Sequence, residues 1–142
     1  MSEPPVALHR LSEQIPGDPF GETLGIRHEI SSEGHVVSRL ELRPEHRNPF
    51  GVGHGSVVFA LADTGMGRAL ASALPGDARC ATLSATIQFV EPVHGNRLVA
   101  ESRLVHLGEK IAAIRCEVFS GDRTPCAVAD ATFYISTPGG TP

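Results

Sequence analysis

No stretch of this chain reaches the ~18 uninterrupted apolar residues of a membrane-crossing helix, because its most apolar segment is broken by Asp63 and Arg68. Positive charge is not in excess either: 12 lysines and arginines stand against 16 acidic residues, a net charge of -4. A nucleic-acid-binding domain would instead show a basic stripe, so neither a nucleic-acid nor a membrane partner is expected. Cysteine is scarce. Cys80, Cys116 and Cys126 are odd in number and widely spaced, lie in apolar runs and form no C-x-x-C pair. That pattern predicts buried, reduced thiols and a cytoplasmic protein. The opening Met1-Ser2-Glu3-Pro4-Pro5 lacks the basic and apolar regions of a secretory leader, which agrees. His9, His28, His35, His46, His94 and His106 show no H-x-x-x-H spacing and no cysteine partner. A metal site is therefore not expected. P-loop, G-x-G-x-x-G and G-x-S-x-G patterns are also missing, which argues against nucleotide-phosphate, dinucleotide and serine-hydrolase chemistry. No cofactor is called for.

The length of 142 residues suits one domain with one core,. Leu8, Leu11 and Ile15 at helical spacing predict a short helix over Val6–Ile15, ended by Pro16-Gly17. Residues 1–17 thus form an N-terminal appendage. Glu22–Ile30 and His35–Leu42 read as strands joined by a hairpin loop at Ser31-Ser32-Glu33-Gly34. Pro44 to Gly53 is a loop punctuated by Pro44, Asn48, Pro49, Gly51 and Gly53. From Val57 to Leu74 nearly every position is apolar or small on all sides of the helical wheel. Such a helix is wrapped by other structure. Four segments of period two follow. Their expected inward positions are Ala81/Leu83/Ala85/Ile87/Phe89, Leu98/Ala100/Ser102/Leu104, Ala112/Ile114/Cys116/Val118 and Ala127/Ala129/Ala131/Phe133/Ile135. Residues 137–142 are expected to be a flexible tail. One antiparallel sheet curved around one apolar helix accounts for both patterns, an α+β architecture. A single sheet cannot cover every side of the helix, so a second copy is expected to cover the rest.

The chemistry-bearing residues gather where loop becomes helix. Gly53-His54-Gly55-Ser56 opens the helix with unpaired backbone N–H groups, a ready donor set for a developing oxyanion. Gly55 lets a carbonyl approach the main chain. Asp63 is a lone carboxylate in an apolar segment, a hydrogen-bonded structural group or a base that activates water. Eight residues of helix separate Gly55 from Asp63, roughly 12 Å. A base and an oxyanion donor must each lie within about 3 Å of one reaction centre. One helix cannot supply both, but two helices related by a two-fold axis can. The sequence therefore asks for a homodimer with two shared sites. Gly65 and Gly67 inside the helix fit close helix–helix contact across that axis or, alternatively, a ligand pocket.

Asn48-Pro49-Phe50-Gly51-Val52-Gly53-His54-Gly55 followed by Leu61-Ala62-Asp63-Thr64 resembles the N-x-x-G-x-x-H-G-G…L-x-D pattern of hotdog-fold acyl-CoA thioesterases, in the phenylacetyl-CoA (PaaI-like) branch. The likeness extends from Asn48 to about Ile135. It implies a hotdog fold, with about six strands around one long central helix, and an acyl-CoA substrate. It also implies that Gly55 N–H and Asn48 hold the thioester carbonyl. The partner's Asp63 then acts as base or nucleophile, and His54 shapes the site. Thr82, counted back from Glu91-Pro92, takes the place of a Ser or Thr that positions water. Strict alternation along its strand, however, turns Thr82 away from the helix unless a bulge rotates it. Where the pattern has a second glycine this chain has Ser56, expected to cap the helix and otherwise to narrow the acyl entrance. Lys110 and Arg103 are candidates for the coenzyme A phosphates. With no tryptophan and 5% aromatics, the acyl group stays open between an aryl and a short or medium chain. A dimer of dimers is the expected assembly. Two competing readings are a hotdog dimer that binds or senses acyl-CoA without hydrolysis, and an enoyl hydratase with an Asp/His pair.

Overall fold

The structure, a computed structural model of one chain, describes residues 15–138. The elements in order are α1 (Pro19–Leu24), β1 (Arg27–Ser32), β2 (His35–Glu41), a 3-10 turn (Pro44–His46), α2 (Gly55–Ala71), β3 (Arg79–Phe89), β4 (Arg97–Leu107), β5 (Ile111–Ser120) and β6 (Pro125–Ser136). The six strands form one antiparallel sheet in the order β1-β2-β4-β5-β6-β3. The chain crosses from one side of the sheet to the other through α2, so β3 lands at the far edge. This is the α+β hotdog architecture. The expected helix over Val6–Ile15, apart from Ile15 itself, and residues 139–142 of the expected tail 137–142 lie outside the described residues.

Alternation decides the core. Leu98, Ala100 and Ser102 of β4, Ala112, Ile114, Cys116 and Val118 of β5, and Ala127, Ala129, Ala131, Phe133 and Ile135 of β6 are buried, as their period of two predicts. Against them α2 sets Val58, Leu61, Ala62, Met66, Ala69 and Leu70. Leu61, Met66 and Leu70 are essentially inaccessible, each contributing about 1.5–3 kcal/mol by leaving water. Gly65 faces the sheet: a Cβ there would lie 2.9 Å from Ser38 Oγ and 3.0 Å from Ser102 Oγ. Its smallness thus serves the packing of α2 on β2 and β4, not the helix–helix contact expected from sequence. At the far end, Ser72 Oγ accepts from Gly34 N at 2.8 Å and donates to Ala69 O at 2.7 Å. The helix stops there, three residues short of Leu74, and ties the β1–β2 hairpin to itself.

Two expectations are corrected. Glu22-Thr23-Leu24 belong to α1, not to the first strand. Pro19 in the first turn and Gly25 at φ +86 start and stop this short helix,. The period of two also fails along β3. Thr82 pairs with Phe133 and Ser84 with Thr132, so Leu83 is an extra residue in a β-bulge,. Leu83 is 57% exposed and Ala81 lies open, not on the helix.

Candidate active site

The bulge decides where Thr82 points. One additional residue reverses the facing of every position on one side of it. Thr82 therefore turns toward α2, and its Oγ1 donates to Asp63 Oδ1 at 2.9 Å. Asp63 is half-buried, not enclosed, because the face of α2 carrying Phe59 and Asp63 is left uncovered beside β3. A carboxylate so placed keeps its second oxygen for another partner. Next along β3, Cys80 Sγ lies 3.9 Å from Gly67 O. Burial, and then the charge of Asp63, push its thiol above the usual range, so it stays protonated. Cys116 and Cys126 are buried free thiols pushed up to about 11 by burial.

The start of α2 is built by two side chains. Asn48 Oδ1 accepts from Phe50 N at 2.9 Å and Val52 N at 3.3 Å, curling the loop through Gly51 at φ +82. That leaves the Asn48 Nδ2 donors without a protein acceptor among the described residues. His54 is the helix N-cap, its Nδ1 accepting from Ser56 N at 3.0 Å. The cap expected of Ser56 is therefore made by His54, and Ser56 sits exposed at the second helical position. His54 N donates to the carbonyl of His46, a buried residue whose Nδ1 accepts from Arg43 N. Gly55 N–H, at the first helical position, has no acceptor among the described residues. A Cβ at Gly55 would meet the Phe89 ring at 3.4 Å, an ordinary van der Waals contact, so the ring lies beside the helix start.

Asn48 and Gly55 share the wall of an open groove of about 380 Å³, with Val58, Phe89, Glu91 and Val93 among its other walls. Phe89 and Glu91 were not singled out from sequence. They sit where β3 leaves the sheet, and Val90 N and Glu91 N both turn to Cys126 O at 2.9 and 3.4 Å. In the sequence only the turn residues Glu91-Pro92-Val93-His94-Gly95-Asn96 mark that exit.

The structure thus gathers the candidates into two clusters. Asp63 and Thr82 form one, and Asn48, His54, Gly55 and Ser56 the other. Asp63 does not line the groove of Gly55 in the same chain. Lys110 joins neither; it is exposed in the β4–β5 turn, beside Ile111, which pairs with Tyr134 and through it with Ala81. Arg103 is engaged with Glu101 at 2.6 Å. Beyond the site, no helix among the described residues is long and apolar enough to cross a membrane.

Known proteins resemble this chain in sequence and in fold. Residues 50–127 match the model of the thioesterase superfamily. A putative esterase of Archaeoglobus fulgidus is 33% identical over 118 residues, covering 82% of this chain and 75% of that protein. The transcription factor FapR of Exiguobacterium sibiricum is 34% identical over 122 residues, covering 82% of this chain and 60% of FapR. In structure, the PaaI protein of E. coli superposes with a TM-score of 0.79 at 24% identity, over 94% of this chain and 91% of that one. With its helix-borne carboxylate, open helix start and six-stranded sheet, the chain belongs to the thioesterase superfamily and is a thioester hydrolase.

Proposed function

We propose that the protein hydrolyses acyl-CoA thioesters with an aryl or a short- to medium-chain acyl group, at two equivalent sites shared by a homodimer. Gly55 N–H and Asn48 Nδ2 of one copy polarise the thioester carbonyl. Asp63 of the other copy takes a proton from water, whose oxygen attacks the carbonyl carbon. The carbon–sulfur bond breaks, the proton passes to the departing thiolate, and the free acid and coenzyme A leave. Asp63 acting as nucleophile through an acyl anhydride would use the same geometry. Thr82 fixes one oxygen of Asp63 and leaves the other for the water or the acyl carbon. His54 serves by capping the helix whose first amide is the donor.

The observation that carries the reading is the Thr82–Asp63 hydrogen bond on an edge strand whose outer side has no partner strand among the described residues. If β3 pairs antiparallel with its own copy about a two-fold axis, the Thr82 end of one strand meets the Phe89 end of the other. That brings Asp63 of one chain toward Gly55 of its mate. Exposed Leu83, Phe89 and Val90 supply apolar surface for such a contact.

Thiol release across aryl, short and long acyl-CoAs tests the proposal. Asp63→Asn should abolish turnover, by at least about 100-fold, and leave acyl-CoA binding nearly intact. An Asp63→Asn protein that still turned over would eliminate the mechanism. A second reading is a dimer that binds acyl-CoA without cleaving it, and in its favour one relative is named a transcription factor and not an enzyme. Saturable binding by the wild type with no thiol released would decide for that one.

A further inference from the structure

We infer that the groove beside Gly55 accepts acyl groups that are neutral and apolar at their far end, and that Glu91 turns away those ending in a carboxylate. The inference rests on the proposed placement of the thioester carbonyl at Gly55. Among the groove's lining residues, Glu91 carries the one charge; Val52, Val58, Phe89, Val90, Pro92 and Val93 make the rest largely apolar. Glu91 is exposed and has no ion-pair partner among the described residues, so its charge is not neutralised locally. The two amides that share Cys126 O pull Phe89, Val90 and Glu91 onto one rim in succession.

Distance makes that charge matter. Phe89 lies against Gly55, and Glu91 follows two residues later, no more than about 7 Å along the backbone,. A four-carbon diacid thioester carries its far carboxylate about 5 Å from the thioester carbonyl carbon, within the span of the groove wall that ends at Glu91. Two negative charges a few ångströms apart in a half-solvated groove repel enough to change a rate about tenfold. Phe89, Val90 and Glu91 follow one another along the wall of the groove that Gly55 also lines.

Butanoyl-CoA and succinyl-CoA have the same chain length and differ in that end group. Wild type should prefer butanoyl-CoA by at least about tenfold in kcat/KM. The preference should shrink severalfold in Glu91→Gln and further in Glu91→Lys; both changes fall at an exposed position, outside the core. Binding of the two non-hydrolysable thioethers to the same three proteins, by calorimetry, reads the selectivity without turnover. Thiol release with a preference that is absent, or equal in all three proteins, overturns the inference and leaves the hydrolase reading standing. Selective binding that follows the charge at position 91 without thiol release overturns hydrolysis alone. A uniform change for both ligands places the pantetheine arm, not the acyl end, beside Glu91 and also overturns the inference, as does failure of the butanoyl thioether to bind.

Discussion

Thr82 reaches Asp63 only because Leu83 is inserted ahead of Ser84, so the contribution of its hydroxyl can be separated from that of the strand. Thr82→Val should lower kcat about tenfold with KM little changed, and Thr82→Ser, which keeps the donor, should retain most activity. Equal loss in both variants would assign Thr82 to packing. His28 makes a different prediction at the same scale. Its Nδ1 lies 2.7 Å from Ser38 Oγ beneath α1. Burial first, then Arg68, lower its pKa from 6.5 to about 4, against the opposing pull of Asp18. The unfolded chain therefore binds a proton at His28 between these values where the folded chain does not. Stability from this residue is whole above about pH 6.5 and drains away as pH falls toward 4, up to about 3 kcal/mol. Urea unfolding at pH 7 and pH 4.5 should show a larger acid loss in wild type than in His28→Gln. Parallel losses would remove His28 from the account.

At the level of elements, α2 is held by how closely it lies on β2 and β4. Gly65→Ala pushes a methyl into Ser38 and Ser102, both fully buried. The overpacking should cost about 1–3 kcal/mol, more than alanine's helix preference returns. A rise in melting temperature would show that the helix can lift without penalty. The same elements show what sequence patterning can reach. Strands β4, β5 and β6 were legible because Ala and other small apolar residues recur at strict intervals of two. The pattern misled at β3, since Leu83 is an apolar residue in an apolar register and a bulge there leaves no glycine or proline as a mark. At α1, Pro19 and Gly25 were in plain view, but six residues are too few to show a helical period. Asp63 and Gly55 could be read from the resemblance and from their spacing. The groove walls Phe89 and Glu91 could not, because they share a surface only where Val90 N and Glu91 N bond to Cys126 O on the neighbouring strand.

For the whole molecule, the decisive question is whether the halves of a site come from two chains. Gly55→Pro removes the donor N–H at the first helical position, where proline is tolerated. His54, at φ -67 and ψ 134, already has the extended backbone that a following proline requires,. Gly55→Pro and Asp63→Asn should each be inactive alone. Co-expressed in equal amounts, they should recover about a quarter of wild-type activity, since half of the dimers are mixed and each carries one intact site. No recovery from two folded, assembled variants would place both halves in one chain.

The exposed β3 margin has a consequence before any substrate arrives. A newly made chain shows Leu83, Phe89 and Val90 along a strand with unused backbone donors and acceptors, a template for any extended peptide that drifts past,. In the proposed homodimer its occupant is a second copy, and that encounter is second order in concentration. How fast the protein is made, and not only how stable it becomes, therefore governs the contest between assembly and aggregation.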